Sequence, residues 1–148
     1  MTDHSATIRD HLTKQRRQAS TAAGTCKYRH QAYGRTLMCA VGCLIPDDKY
    51  SEGFEGVSIA PVKAFMDEEK RAQRIALGDS LPADLDIEAA GWWQRYHDGS
   101  AVIPVDGKEK GFCYVKWCDS DMPDQSPTAF YEALKIHLAN AAEPDHGH

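Results

Sequence analysis

Four side chains that bind soft metals lie close together in the first third of the sequence. Cys26, His30, Cys39 and Cys43 form a C-x3-H-x8-C-x3-C arrangement, and four thiolate or imidazole ligands are what a tetrahedral structural zinc requires. The spacing departs from the usual C-x2-C knuckle, and pairs at i and i+4 need a local helix to bring both ligands to one face. Cys39 and Cys43 also lie in an apolar run, where free cysteine packs as a small hydrophobe. The pattern therefore leaves a zinc site and a packing role open, and it favours packing.

A cysteine nucleophile is a second chemistry that these residue types allow. Such a site needs a thiol, a base and a group that orients the base. The candidates for these three roles are, in order, Cys26 or Cys39; His97 or His30; and Asp98, Asp47 or Glu55. No nucleophile signature surrounds either thiol, and His97 followed by Asp98 and Gly99 is typical of a helix C-terminus. The sequence therefore favours a protein that is not an enzyme.

Aromatic and basic side chains point to a third possibility, the binding of a ligand or of another protein. Aromatic faces and guanidinium groups hold a base and a phosphate, and the same residue types dominate protein–protein interfaces. The Trp92–Trp93 pair is expected to split, with one ring in the core, because adjacent helix positions cannot face the same way. The candidate binding residues are Tyr28, Arg29, Arg35, Asp47, Tyr50, Glu55, Trp92 and Trp93.

Charge is divided unevenly along the 148 residues. The net charge is −5, but residues 1–35 carry seven Lys or Arg against two Asp, whereas the remainder carries ten against twenty acidic residues. The two parts therefore differ in net charge, at +5 and −10. A basic first part suits an anionic ligand, while the acidic remainder repels a nucleic-acid backbone and argues against nucleic acid as the partner. The alternative is that both sets of charges are solvated surface.

Length and cysteine usage predict one cytoplasmic domain spanning residues 1–148. The chain has the usual size of one domain, and it contains neither a long apolar stretch nor the apolar core of a signal peptide. We therefore expect no membrane contact. Five cysteines in such a chain are expected to be thiols or metal ligands rather than disulfides.

The elements that would position these residues form an α+β fold, with about four helices and a short antiparallel hairpin. Each helix has a recognisable start signal. The helices are predicted from Asp3 or Ser5 to about Ala19, from Ser58 or Ala60 with Pro61 to about Leu77, from Leu85 to Tyr96 with Asp84 or Asp86 as the cap, and from Ser126 with Pro127 to about Ala142.

Strand signals are weaker than helix signals in this sequence. The segments AVIPV and GFCYVKWC flank DGKEKG, which predicts a hairpin with a charged loop and with Pro104 on an edge strand. The apolar run from Leu37 to Ile45 is predicted to be buried, but its periodicity does not decide between a strand and a short helix. The ends, at about 1–4 and 143–148, are expected to fray.

The segment that contains CKYR, CAVGCLIPDDKY and FEG resembles a motif of small bacteriophage and prophage proteins. That motif reads C-x-Y-R, then C-A-V-G-x-L-I-x-D-x-x-Y, then E-G, and the match covers residues 26–56, called the motif segment below. WWQRYHD is similar to a later helix of the same group. His30 and Cys43 are not part of the pattern, which counts against a four-ligand zinc site. The matched positions are Cys26, Tyr28, Arg29, Cys39, Gly42, Leu44, Ile45, Asp47, Tyr50, Glu55 and Gly56.

The resemblance implies a phage accessory protein in the cytoplasm of a bacterial host, without assigning an activity. Such proteins commonly bind a host enzyme or defence component, or sequester a signalling nucleotide, so the implied function is an argument by analogy. The first expectation is an inhibitor of a host protein or defence complex. The alternatives are a binder of a nucleotide-like ligand, and a thiol enzyme or zinc module centred on Cys26 and Cys39.

Overall fold

Four helices and two antiparallel hairpins make up the described part of the chain. The structure is a computed structural model, and it describes residues 3–15, 19, 27–32, 34–55, 57, 67–98, 101–112 and 126–142. The helices are α1 His4–Gln15, α2 Glu68–Ser80, α3 Ile87–His97 and α4 Ser126–Ala142. The strands are β1 Arg29–Ala32, β2 Arg35–Met38, β3 Ala101–Val105 and β4 Lys108–Phe112. The predicted α+β class is confirmed. None of the described helices is both long and apolar enough to cross a membrane.

Aspartates define the starts of the first three helices. Asp3 Oδ1 accepts the Ala6 N–H at 3.1 Å, and Asp86 Oδ1 accepts two N–H groups at the start of α3, so both are N-caps as predicted. Asp67 is extended and caps α2 through the Lys70 N–H at 2.8 Å. The predicted helix to Leu77 is therefore wrong as one continuous element, because extended Asp67 is the N-cap and α2 begins at Glu68. The predicted start at residues 58–61 lies outside the described residues.

The hairpin of β3 and β4 has a tighter turn than predicted. Asp106 and Gly107 both have positive φ, at 53° and 76°, and such a pair closes a two-residue turn. Val105 consequently pairs with Lys108, and Ala101 pairs with Phe112. The predicted charged loop DGKEKG is too long, since its last four residues belong to β4. The predicted continuation to Cys118, like the frayed tail after residue 142, lies outside the described residues.

The motif segment contains a hairpin that the sequence patterns did not predict. Strands β1 and β2 pair from Arg29 opposite Met38 to Ala32 opposite Arg35. The apolar run is neither one strand nor one helix: it finishes β2 and then forms a short 3₁₀ helix, Gly42–Leu44. The bend is possible because Gly42 has no side chain, since a Cβ there would lie 2.0 Å from the Tyr28 carbonyl oxygen.

The core consists of two hydrophobic clusters. The first lies among α1, α3, α4 and β3, where the Trp93 and Tyr96 rings pack on Phe130 with centroids 4.7 and 4.5 Å away. The second joins the motif segment to α2 through buried side chains that include Leu37 and Leu77. The motif segment is therefore held against a core of its own rather than lying on the surface as a loop.

Candidate functional site

Glu55 joins parts of the motif segment that are far apart in the sequence. Its Oε1 accepts the backbone N–H of Tyr28 at 2.8 Å, and its Oε2 accepts the backbone N–H of Arg29 at 3.2 Å. The Tyr50 hydroxyl also donates to Oε2, at 2.5 Å. Hydrogen bonds to an ionised acceptor are stronger than neutral ones. One carboxylate thus fixes the start of β1 to the loop that follows the apolar run.

Arg29 extends this connection on the other side of Tyr50. Its Nη2 donates to the Ile45 carbonyl at 2.7 Å and lies 2.9 Å from Asp47 Oδ1. The guanidinium carbon lies 4.7 Å from the centroid of the Tyr50 ring, which is a cation–π distance. Arg29 Nε is buried and has no hydrogen-bond partner in the described part of the chain. The charged and aromatic residues Arg29, Asp47, Tyr50 and Glu55 are called the motif network below.

Two tyrosines of the motif segment, Tyr28 and Tyr50, act as hydroxyl donors. Tyr28 is buried, and its hydroxyl donates to the Val57 carbonyl. Burial raises the pKa of Tyr28 well above its usual value. Burial and the hydrogen bond to Glu55 raise the pKa of Tyr50 in the same direction. Both phenols therefore stay protonated at neutral pH and hold their acceptors in place.

A polar cavity of about 520 Å³ opens beside the motif network. Its volume falls within the range of small-molecule sites. The side chains of Lys27 and His30 are half-buried at this cavity, and neither has a hydrogen-bond partner among the described residues. The cavity is lined by polar and charged residues of β1, β2 and the following loop, namely Lys27, Arg29, His30, Gln31, Thr36, Tyr50, Glu52 and Glu55.

The described thiols are packed and protonated. Cys39 is fully buried, and its Sγ accepts the Gly42 N–H at 3.2 Å; burial raises its pKa far above the ordinary thiol value. Cys43 donates from Sγ to the Ala40 carbonyl at 3.1 Å, and burial raises its pKa to about 12. A thiol acts as nucleophile or metal ligand through its thiolate. In this environment both thiols contribute packing, and Cys26 lies outside the described residues.

The described side chains of the zinc candidates do not gather at one point. Within the described ranges no three His, Cys, Asp or Glu side chains are grouped so that they could hold a metal ion. His30 faces the polar cavity, whereas Cys39 belongs to the second cluster of the core.

The His97 side chain stabilises the fold through its hydrogen bonds. The ring is fully buried, and its Nε2 accepts the backbone N–H of Ala19 at 3.1 Å. That bond assigns the proton to Nδ1, which lies 3.1 Å from Asp98 Oδ1. The lone pair that a general base would use therefore holds the chain after α1, and the pair His97–Asp98 connects that segment to the end of α3.

Arg35 and the tryptophan pair lie apart from the motif network. Arg35 Nη2 donates to the Gln15 carbonyl at the end of α1, at 2.9 Å. Trp93 is fully buried, whereas Trp92 is half-buried beneath the Arg95 guanidinium, 3.9 Å from its ring centroid. The two rings separate as adjacent helix positions must. None of these three candidates lines the cavity. Arg35 and Trp93 stabilise the fold, and Trp92 packs against Arg95.

The structure thus brings five binding candidates together and adds others that sequence reasoning missed. Tyr28, Arg29, Asp47, Tyr50 and Glu55 lie within one connected set of hydrogen bonds and ion pairs. The additional lining residues are Lys27, Gln31, Thr36 and Glu52. Two of them, Gln31 and Thr36, lie on the β1–β2 hairpin. The available signal for this hairpin was Tyr33–Gly34 between two short runs, because Gly34 has a φ of 72°.

Comparison with known proteins found no relative for this chain, so only the geometry of the site indicates what it can bind. A scan against protein-family models gave no match. Searches of curated proteins and of solved structures also found no significant match.

Proposed function

We propose that this protein acts by binding, and that it holds a small anionic ligand of nucleotide type in the cavity beside the motif network. The observation that carries this proposal is convergence: Arg29, Tyr50 and Glu55 are separated in the sequence but line one cavity of about 520 Å³. A volume of this order accommodates a small molecule. Residues that served the fold alone would not need to surround an open polar space.

The donors of the cavity support an anionic group on the ligand. Lys27 and His30 supply N–H donors that no described residue engages, and phosphates bind to such donors through charge-assisted hydrogen bonds. Glu55 is already occupied by three donors, so it adds little unsatisfied negative charge. Exposed Glu52 lines the same cavity and can accept from an amino group, as a nucleobase would present.

The state of the thiols and of His97 supports binding over catalysis. Cys39 and Cys43 are held as thiols by burial, and His97 Nε2 is engaged by the Ala19 N–H. A cysteine mechanism needs a thiolate beside an available base. Neither described thiol is a thiolate, and the one described base without a hydrogen-bond partner, His30, lies at the polar cavity, whereas Cys39 belongs to the second cluster of the core. Recognition is therefore the better account of the site.

The geometry favours a ligand over a protein partner because of where the candidate rings that the structure describes lie. An inhibitor that uses an aromatic surface needs exposed rings as anchors, whereas Trp93 and Tyr28 are buried and Trp92 is covered by Arg95. The phage-like motif supports a setting in a bacterial cytoplasm. There the protein would act as a sponge that lowers the concentration of a nucleotide signal.

A thermal-shift panel tests this proposal. The probes are inorganic phosphate, mononucleotides and cyclic dinucleotides. A ligand at 100 times its Kd adds about 2.7 kcal/mol to the free energy of unfolding, which raises Tm by about 5 °C or more in a domain of this size. We expect at least one nucleotide to do so, and Lys27→Gln to weaken its binding about tenfold.

Lys14→Gln is the matched control, since Lys14 is exposed on α1 and does not line the cavity. It should leave affinity unchanged. Equal Tm with every probe, or equal losses in the two lysine variants, would remove the proposal. In that event recovery of a specific host protein from a bacterial lysate would favour the inhibitor instead.

A further inference from the structure

The polar cavity of the motif segment has no net charge unless a histidine on its wall is protonated. Its lining residues include two cations, Lys27 and Arg29, and two carboxylates, Glu52 and Glu55, whose formal charges cancel. His30 is the histidine of the wall, and imidazole is the side chain whose ordinary charge change falls between pH 5 and pH 8. The proton on this ring therefore decides whether the cavity is neutral or positive.

The lining groups that have no partner give the same balance. Arg29 Nη2 lies 2.9 Å from Asp47 Oδ1, and Glu55 accepts three hydrogen bonds, so both of these lining charges are already engaged. Lys27 and Glu52 remain, one cation and one anion, and no described residue hydrogen-bonds or ion-pairs with either side chain. An anionic ligand therefore meets a net attraction only when the imidazole adds a second positive charge.

The other described side chains that face His30 add no second group that titrates near neutral pH. Across the hairpin His30 pairs with Leu37, which is apolar and fully buried. Arg35 of β2 donates to the carbonyl at the end of α1 and does not line the cavity. From the loop after the apolar run, the phenol of Tyr50 stays protonated, because burial and its hydrogen bond to Glu55 raise its pKa. With a ligand of constant charge, a change of affinity near neutral pH would therefore report the charge of His30.

We propose that binding in this cavity is coupled to protonation of His30, and that the preferred ligand is a nucleotide with a terminal phosphate rather than a cyclic phosphodiester. This inference rests on the proposed function and names its ligand class more closely. A terminal phosphate has close to two negative charges at neutral pH and three acceptor oxygens, whereas a diester has a single charge. The Lys27 ammonium and the His30 imidazolium supply two positive charges and the N–H donors for such a group.

Inorganic sulfate separates the charge of the protein from the charge of the ligand. Sulfate stays a dianion from about pH 6 to about pH 8, so a change of its affinity in this range of imidazole titration comes from the protein. We expect its Kd, measured by isothermal titration calorimetry, to be about threefold to fivefold lower at the acidic end, as for a partly exposed ion pair. Titrations in buffers of different ionisation enthalpy should show net uptake of protons on binding.

His30→Gln removes the titrating group and keeps an N–H donor. This variant should bind sulfate with the same affinity at both pH values. His137→Gln is the matched control, since His137 is half-buried on α4 and does not line the cavity, and it should keep the pH dependence of the parent. A measurement without any substitution uses carbon-13 chemical shifts of the imidazole rings. Saturating sulfate should move the titration midpoint of His30 to higher pH and leave that of His137 unchanged.

The choice of phosphate is tested with the common ribonucleoside 5′-monophosphates and their 3′,5′-cyclic diesters, so that each pair shares one base. We expect the monophosphate of the preferred base to bind about threefold or more tightly than its diester at neutral pH. His30→Gln should reduce this ratio, because it removes the second cation.

The outcomes distinguish this inference from the function on which it rests. Equal affinity of sulfate and of the cyclic diesters at both pH values, a pH dependence that persists in His30→Gln, or tighter binding of the diesters would overturn the inference and leave the binding function in place. Absence of binding by every probe at both pH values would remove the proposed function and this inference with it.

Discussion

At the scale of single residues, the motif segment uses its polar side chains mainly to join pieces of backbone. Glu55 accepts from two consecutive N–H groups of the chain at β1, and Arg29 donates to the Ile45 carbonyl. Unsatisfied polar groups in partly buried positions are costly, so these side chains replace water as partners. The same contacts leave the ring of Tyr50 and the neighbouring Lys27 at the cavity, which is how one set of residues can serve both fold and binding.

Gly42 is the residue at which the fold of the motif segment is most sensitive. In Gly42→Ala the new Cβ would lie 2.0 Å from the Tyr28 carbonyl oxygen, and this backbone atom cannot move aside without breaking its bond from the Cys39 N–H. We expect the free energy of unfolding to fall by about 3 kcal/mol, a size typical of overpacking. Urea unfolding measures the change.

Gly91→Ala is the matched control for this substitution. A Cβ at Gly91 meets nothing within 4 Å, and alanine in a helix interior is more favourable than glycine by about 0.5–1 kcal/mol. This variant should therefore be slightly more stable than the parent. Similar effects of the two substitutions would show that close approach to Tyr28 does not control the bend.

At the scale of elements, the attachment of α1 to β2 depends on a histidine whose protonation is disfavoured by folding. His11 Nε2 lies 2.9 Å from the Met38 carbonyl, and Gln15 bonds both the N–H and the carbonyl of Met38 at 2.8 Å. Burial lowers the pKa of His11 below its ordinary 6.5. The hydrogen bond to the Met38 carbonyl acts in the opposite direction, but burial outweighs it. Folding therefore favours the neutral form of a histidine that joins α1 to the hairpin.

This lowered pKa predicts a loss of stability on acidification. Below pH 6.5 the unfolded chain binds a proton at His11 before the folded chain does, so the free energy of unfolding falls as the pH decreases through the folded-state pKa. We expect the decline between about pH 7 and pH 5 to be shallower in His11→Gln. Denaturant unfolding at several pH values measures the slope. A variant with the parent's slope would contradict the assignment to His11.

The elements that the sequence predicts well are those with local signals. The Asp3 and Asp86 caps accept N–H groups within the first turn of their helices, and α4 begins at the predicted Ser126. The β1–β2 hairpin has only its Tyr33–Gly34 turn as a local signal, because buried and exposed residues do not alternate along its strands and no period of two marks them. Its place depends on Glu55, a contact between distant residues that spacing alone does not reveal.

The residues of the candidate site likewise fall into those that the sequence identified and those that it missed. The resemblance selected Arg29, Tyr50 and Glu55 by residue type, and the structure brings them together. Gln31 and Thr36 were missed because they reach the cavity as a pair across β1 and β2. Burial also decided the role of Cys39, which the sequence left open between chemistry and packing.

At the scale of the whole molecule, two parts of the chain belong to both hydrophobic clusters. On α3, Ala89 and Trp93 contribute to the first cluster and Ala90 to the second. In the motif segment, Ala40 contributes to the first and its neighbour Val41 to the second. Half-buried Leu44 packs against both. Neither cluster can therefore lose its packing without exposing side chains of the other.

This sharing predicts a single cooperative unfolding transition. Near-UV circular dichroism follows the first cluster through Trp93 and its aromatic neighbours, and thiol labelling of Cys39, located by mass spectrometry, follows the second. Because Cys39 is fully buried, it should react at the denaturant concentration at which the aromatic signal disappears. Leu37→Ala removes buried side-chain atoms from the second cluster at a cost of about 2–5 kcal/mol, and it should lower both midpoints equally. Labelling of Cys39 well before the aromatic signal changes would show instead that the motif segment opens as a separate unit while the helices remain folded.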